Sequence, residues 1–291
     1  MSNDAPYKIT SAQMIDALGD LKRLPSFSNI LSEFDRLVLK PEGAHIEEVV
    51  ELVMMDPRLS AGILQVVNSA RYSPGFMISD VSQAVARLGV TDIRVMIVAL
   101  NFRDLLGDAQ GINKNAFLQH GLVSAFIARK LAPKFHVDPY DAFMMGLLHE
   151  VGLYMMALYH PEGFKELSDM SMYKLTRLLG AEKAVFGVLH PAVGAQLIRK
   201  WHFSKLIVMG VLGHHSPVKV DREYQNAAYM TQLAEAGAFY LGYYNGLVTT
   251  EKSVLTDSMQ AILKRTGLNE DEFVDLLASA LREAQETGFV G

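Results

Sequence analysis

Cysteine is missing from all 291 residues. That excludes disulfides and thiolate chemistry and makes a reducing cytoplasm the natural setting. An excess of positive charge is missing too: 27 Lys and Arg stand against 32 Asp and Glu, for a formal charge of −5. This argues against broad electrostatic binding to nucleic acid or to an anionic membrane surface. The stretch Val95 to Leu100, closed off by Arg94 and Arg103, is too short to span a bilayer, so no membrane insertion is expected. The polar, acidic start at Met1 to Pro6 is no signal peptide. No low-complexity tract, glycine-rich phosphate loop or nucleophile elbow occurs.

What is present is apolar residue at helical spacing. Half the chain is apolar, enough for one large core or two modest ones. Ile46, Val49, Val50, Val53 and Met54 mark one helix face. Asp56-Pro57 and Asp138-Pro139 each read as an N-cap followed by proline at the first helical position. Asn269 with Glu272 resembles a capping box that opens a last helix. Gly89, Gly107 and Gly180 are expected helix stops. Few segments alternate with period two, so the fold is expected to be all-α. The polar, glycine-bearing segment Gly107 to Asn113 is the expected boundary, giving lobes over 1–108 and 109–291, with a weaker break near Gly242 to Ser253.

Histidines and carboxylates recur on the apolar faces of the second half. His120 shares a face with Ser124, Ile127 and Leu131, and His149, followed by Glu150, ends the apolar run from Phe143. His190 precedes Pro191 at an expected helix start, and His214-His215 follows the run Ile207 to Leu212. Glu235 lies among Ala234, Ala236, Gly237 and Ala238, a surface small enough for another helix to approach closely. Buried imidazoles and carboxylates need partners. One or two divalent ions, Fe, Mn, Zn or Ni, would satisfy them together. The alternative is that each histidine is a core residue hydrogen-bonded to backbone or neighbour. His45, His136, His160 and His202 are expected on the surface.

These positions, in this order, resemble the HD superfamily of metal-dependent phosphohydrolases. Upstream, Leu24-Pro25, Asp56-Pro57, Leu64 to Ala70, Ile78-Ser79 and Ala84 to Gly89 are similar to the HDOD family, the HD-related output domain of bacterial signalling proteins. The resemblance, over about 18–235, implies two helical lobes, an HDOD-specific N-terminal bundle and a C-terminal HD-like core. It also implies a bacterial cytoplasmic protein of signal transduction or gene regulation, in a family mostly without established catalysis. The superfamily's His-Asp is His149-Glu150 here, and its last aspartate is Glu235. Each change adds a methylene, and metal–ligand distances tolerate only about 0.2 Å, so the backbone is expected to shift. Related cyclic-dinucleotide phosphodiesterases carry a lysine where this chain has Leu153.

Ligand chemistry is thus expected to survive while catalytic chemistry thins, His149 and Glu150 being the catalytic candidates if hydrolysis remains. The expected role is a regulatory module, non-catalytic or weakly catalytic, that binds a signalling protein or a small ligand such as a nucleotide. The alternative is a metal-dependent phosphohydrolase acting on a nucleotide or cyclic dinucleotide. Asn68 and Arg71, near a helix end, and Arg94 and Arg103, flanking an apolar helix, are weaker contact candidates. Asn68 is expected to fix a turn and the arginines to be solvated or salt-bridged.

Overall fold

The computed structural model describes residues 29–38, 40, 43–69, 72–73, 75–248, 260–264, 266–288 and 290. Leu24, Pro25, Ala70, Arg71 and Ser253, cited above, lie outside them. Among the described residues every regular element is a helix, and the all-α expectation holds. The contacts form two compact units. Among the described residues, one takes in those up to Leu106 together with those from Leu281 on, and the other those from Gly107 to Ala280.

The first unit contains α1 (Asn29–Val38), α2 (Ile46–Met54), α3 (Pro57–Val67) and α4 (Val81–Leu105). Asp56 caps α3 as its sequence suggests: Oδ1 accepts from the Arg58 and Leu59 amides at 2.9 and 3.3 Å. Phe34, Val49, Val53, Ile63, Ile93 and Phe102 are fully buried. Ile46 and Met54 share their predicted face but sit at the two ends of a short helix, 45% and 61% exposed. Gly89 interrupts α4 with φ 76°, the left-handed region that glycine enters without strain. Gly107 follows the end of α4, but Gly180 does not stop a helix and lies inside one.

The second unit runs through α5 (Lys114–Phe135), α6 (Pro139–Leu148), α7 (Val151–Tyr159), α8 (Pro161–Ser171), α9 (Leu175–Val185), α10 (His190–Lys200), α11 (Lys205–Gly213) and α12 (Gln225–Tyr240). Most of α13 (Glu270–Glu286) also belongs here, opened by the Asn269–Glu272 capping box with bonds of 2.9 and 3.0 Å. Asp138 caps α6 through the Tyr140 and Asp141 amides. The stretch Pro139–Tyr159, α6 and α7 together, is long and apolar enough to cross a membrane, but 89% of its most apolar window is buried inside the protein. It is core, as its packing on α5, α10 and α11 requires.

Two glycines set how closely this core closes. A Cβ on Gly146 of α6 would lie 2.6 Å from Ala125 Cα and Ser124 O of α5. A Cβ on Gly152 of α7 would overlap the His190 carbonyl at the start of α10. Glycine therefore lets the main chains of α6 and α7 approach the helices that carry His120 and His190.

Candidate metal centre

Five histidines and two glutamates converge inside the second unit. Their donor atoms form three overlapping groups: His120, His149 and Glu150; His190, His214 and His215; and Glu150, His215 and Glu235. Within each group the atoms lie within 4.8 Å of one another.

Each ring is aimed by what its outer nitrogen meets. His149 sits at the C-cap of α6, and its Nδ1 lies 2.8 Å from the Gly146 carbonyl. His214 repeats this at the C-cap of α11, 2.6 Å from the Val211 carbonyl. In both cases the ring folds back to satisfy a carbonyl that a helix end leaves unpaired. His120 Nδ1 meets the Tyr243 carbonyl at 2.8 Å. His190 Nδ1 meets Glu182 Oε1 at 2.6 Å, while the His190 amide donates to Glu182 Oε2 at 2.9 Å. Carbonyl oxygens only accept, so the Nδ1 atoms of His120, His149 and His214 carry hydrogen; His190 Nδ1 is taken up by Glu182, and all four Nε2 atoms turn inward.

Those nitrogens face one another. His120 Nε2 and His149 Nε2 are 3.2 Å apart, and so are His190 Nε2 and His214 Nε2. Between the two neutral rings, His120 and His149, the lone pairs repel unless a cation serves both; between His190 and His214 either a cation or a proton on His190 can serve. Two nitrogens bound at 2.0–2.1 Å to one tetrahedral ion would themselves lie about 3.3 Å apart. The separation therefore fits a metal polyhedron edge as well as a hydrogen bond. The carboxylates add to the case. Glu150 Oε1 accepts from Asn245 Nδ2 at 2.9 Å, whereas Oε2, 3.4 Å from His190 Nε2, makes no hydrogen bond. Glu235 Oε1 and His215 Nε2 are also buried without partners, and Glu235 Oε2 stands 3.7 Å from His215 Nδ1. Three orphaned polar atoms in one interior is a donor set that suits a divalent cation.

Electrostatics agree. Burial lowers His120 to about 4, and burial with the nearby His190 lowers His214 to about 3. His149 and His215 are held well below the usual imidazole value by burial and by their neighbouring rings. These four are neutral at pH 7, the form that ligates. Burial pulls His190 down as well, but Glu182, Glu150 and Glu235 prevail and raise it to about 9. Burial raises Glu150, with His190 and Asn245 opposing. Burial and the Glu150 charge push Glu235 well above the carboxylate range. Both glutamates strain against their charge unless a cation offsets it.

Glu150 and Glu235, where the resembled pattern has aspartates, each place a carboxylate oxygen within the cluster. Leu153 brings no cation, being fully buried in α7. The weaker candidates stand apart from the centre. Asn68 commits its amide to main chain, donating to the Leu64 and Ile78 carbonyls and accepting from the Ile78 amide. It fixes the turn. Arg94 pairs with Asp35 at 2.7 Å, and Arg103 is half-exposed beside Asp104 at 3.4 Å. Arg71 lies outside the described residues. Two residues that sequence reasoning missed are central: Glu182 and Asn245. Glu182 had a signal, a glutamate on the apolar face of α9 between Leu178 and Phe186. Asn245, in an irregular segment after α12, had none.

The protein-family comparison matches the HDOD domain over residues 24–217. A Treponema pallidum protein described as uncharacterized is 23% identical over 218 residues, 74% of this chain but 41% of that protein. The chain thus spans about two fifths of the curated relative it matches. Among solved structures, an HDOD domain protein of unknown function from Geobacter sulfurreducens superposes with a TM-score of 0.76 at 24% identity, covering 96% of this chain and 97% of its own. A candidate phosphohydrolase from Shewanella amazonensis SB2B gives 0.72 at 22%, covering 94% and 96%. At such identities the likeness shows a shared fold. With the family match spanning two thirds of the sequence, the chain belongs to the HDOD domain family.

Proposed function

We propose that this chain is an HDOD regulatory module of the bacterial cytoplasm, built around one or two divalent metal ions, that acts by binding a signalling protein or a small ligand and hydrolyses little or nothing. The observation that carries it is the pair of Nε2–Nε2 contacts at 3.2 Å between rings whose Nδ1 atoms are already committed. His120, His149 and Glu150 would hold one ion and His190, His214 and His215 a second, with Glu235 available beside Glu150 and His215. A bound divalent cation supplies Lewis acidity and an attachment point for a phosphate oxygen. The rest is the chain's own work: Glu182 and the helix-end carbonyls fix the ring tautomers, and Asn245 holds one Glu150 oxygen so that the other faces the cluster. The buried Leu153 in the lysine's place supports weak turnover. Exposed Met54, Met55, Phe76 and Met77 in the first unit support a protein partner there, methionine being suited to adaptable surfaces.

A second reading, a metal-dependent phosphohydrolase, is favoured by the unpaired Glu150 and Glu235 oxygens, which could take up a proton or orient water. One experiment addresses both. Metal content is measured by mass spectrometry on protein purified without chelator or affinity-tag nickel, beside His149→Ala. Near-stoichiometric metal in the wild type, lost in the variant, is expected. No metal in either would sink the proposal, and robust phosphatase or phosphodiesterase activity that His149→Ala abolishes would replace it with the second reading.

A further inference from the structure

The candidate ligands are closed to solvent except at one edge. His120, His149, His190 and His214 are fully buried, and Glu150 and Glu235 are 1% and 2% exposed. The His215 side chain alone of the seven rises to 12%. At that edge lies a cavity of about 240 Å³ lined by Leu189, Pro191, Ala192, Leu212 and Val220, with His215, Ser216 and Lys219 as its polar lining. The lining belongs to the same short segments that carry His190 and His214-His215, so an occupant would stand against the centre without entering it. His215 Nε2 is buried without a hydrogen-bond partner and belongs with the centre, so this wall meets only the outer, partly exposed edge of the His215 ring.

We propose that this cavity is a ligand site for a small phosphate monoester, its apolar body against Leu189, Pro191, Leu212 and Val220 and its phosphate between Lys219, Ser216 and the His215 edge. The inference rests on the metal-centre reading and names the ligand class for it. Size comes first. Sites for drug-sized ligands usually run from about 300 to 1,000 Å³, so a cavity of about 240 Å³ holds a single ring system and not the two bases of a cyclic dinucleotide. Chemistry comes second. A monoester presents three terminal oxygens, enough to meet an ammonium, a hydroxyl and the His215 edge together. A carboxylate or a phosphodiester presents two. The mostly apolar wall with a few polar groups at one side fixes orientation, body inward and charge at the rim.

The test is isothermal titration of the full chain, saturated with Mn²⁺, with phenyl phosphate. Wild-type protein is expected to bind it at one site. Lys219→Gln should weaken binding about tenfold, and Leu212→Trp, which fills the cavity, should abolish it, with the metal content of both variants unchanged. Ala192→Phe is the second plug should Leu212→Trp not fold. No binding by the wild type overturns the proposal. So does binding that neither the Lys219 variant nor a plug alters, or a cyclic dinucleotide bound as tightly through the same residues. Failure of the metal reading looks different. Protein that takes up no metal yet binds phenyl phosphate through Lys219 and Leu212 keeps the cavity and loses the centre. Stoichiometric metal without probe binding does the reverse.

Discussion

The two units bury helices in the same way and fill their interiors differently. Between residues 29 and 106 every buried described side chain is apolar, and the described residues from Leu281 on, in the same unit, add Glu283 and Thr287 but no histidine. In Gly107–Ala280 the interior holds His120, His149, Glu150, Glu182, His190, His214, Glu235 and Asn245. The first unit shows that this chain can build a helical core without a buried histidine. Burying a polar group unmatched costs about 1–3 kcal/mol, and the second unit leaves Glu150 Oε2, Glu235 Oε1 and His215 Nε2 unmatched. Packing does not account for that choice. The proposed cation site would account for it, with the unmatched groups as its ligands.

The largest effect that would break the contrast is acid. His120 and His214 fall from 6.5 to about 4 and about 3, and His149 and His215 are also lowered. Below pH 6.5 the unfolded chain takes up protons that these folded rings refuse, so the metal-free protein loses stability as pH falls. Glu150 and Glu235 are raised by burial and so carry the opposite sign: a raised carboxyl gains stability as pH falls towards its unfolded value of about 4.5, which returns part of that loss. His190, raised to about 9, stabilises below 6.5, and that contribution is lost as pH rises to about 9. The signs give a maximum near pH 6.5, with each net proton worth about 1.4 kcal/mol per pH unit on either limb. Thermal melts in chelator from about pH 5 to about pH 9 read this directly. A flat profile would mean that the rings are not buried and neutral.

Glu182→Ala should come next, at about 3–5 kcal/mol, because it strands two His190 donors in a dry interior. Metal uptake should fall with it, since nothing then fixes the His190 tautomer. Ile63→Ala is the counterpart in the first unit, where a fully buried side chain is cut back at a cost of about 2–5 kcal/mol. There the stabilisation that Mn²⁺ adds should stay as in the wild type, about 4 kcal/mol at a thousandfold excess over Kd. Urea titrations with and without Mn²⁺ separate the two variants. If Ile63→Ala also removes the metal increment, the units are not independent in this respect.

Much of this was legible in the sequence, for physical reasons. The caps at Asp56, Asp138 and Asn269 are local, so their residues suffice to place them. The histidines and glutamates announced themselves by standing on apolar faces, and the helices brought all seven together. What stayed hidden depends on non-local main chain. The Tyr243 carbonyl that orients His120 has no side-chain signature. Glu182 reaches His190 across the turn between α9 and α10, which periodicity does not resolve. Gly180 looked like a stop because glycine is read from its permissiveness, yet with nothing near its absent Cβ it rides in α9 at only the usual helix penalty. Most of the first unit needed no such help, since an apolar core requires only pattern.

The smallest expected change is the most specific. Asn245 Oδ1 accepts from the Leu247 and Val248 amides at 3.3 and 3.0 Å, which fixes the side-chain amide so that Nδ2 faces Glu150. Asn245 thus has two separable duties, holding its own loop and donating to a candidate ligand. Asn245→Ala removes both, at about 1–3 kcal/mol, and should weaken Mn²⁺ binding about 10–100-fold. Asn245→Asp keeps an acceptor for the two amides and replaces the donor with a second carboxylate oxygen facing Glu150. If the loop is what matters, aspartate behaves as the wild type. If the donor matters, aspartate loses Mn²⁺ affinity as alanine does while its metal-free melting temperature stays closer to the wild type. We expect the second result, because the loop bonds run to backbone and survive the change, whereas Glu150 Oε1 has Asn245 Nδ2 as its hydrogen-bond donor.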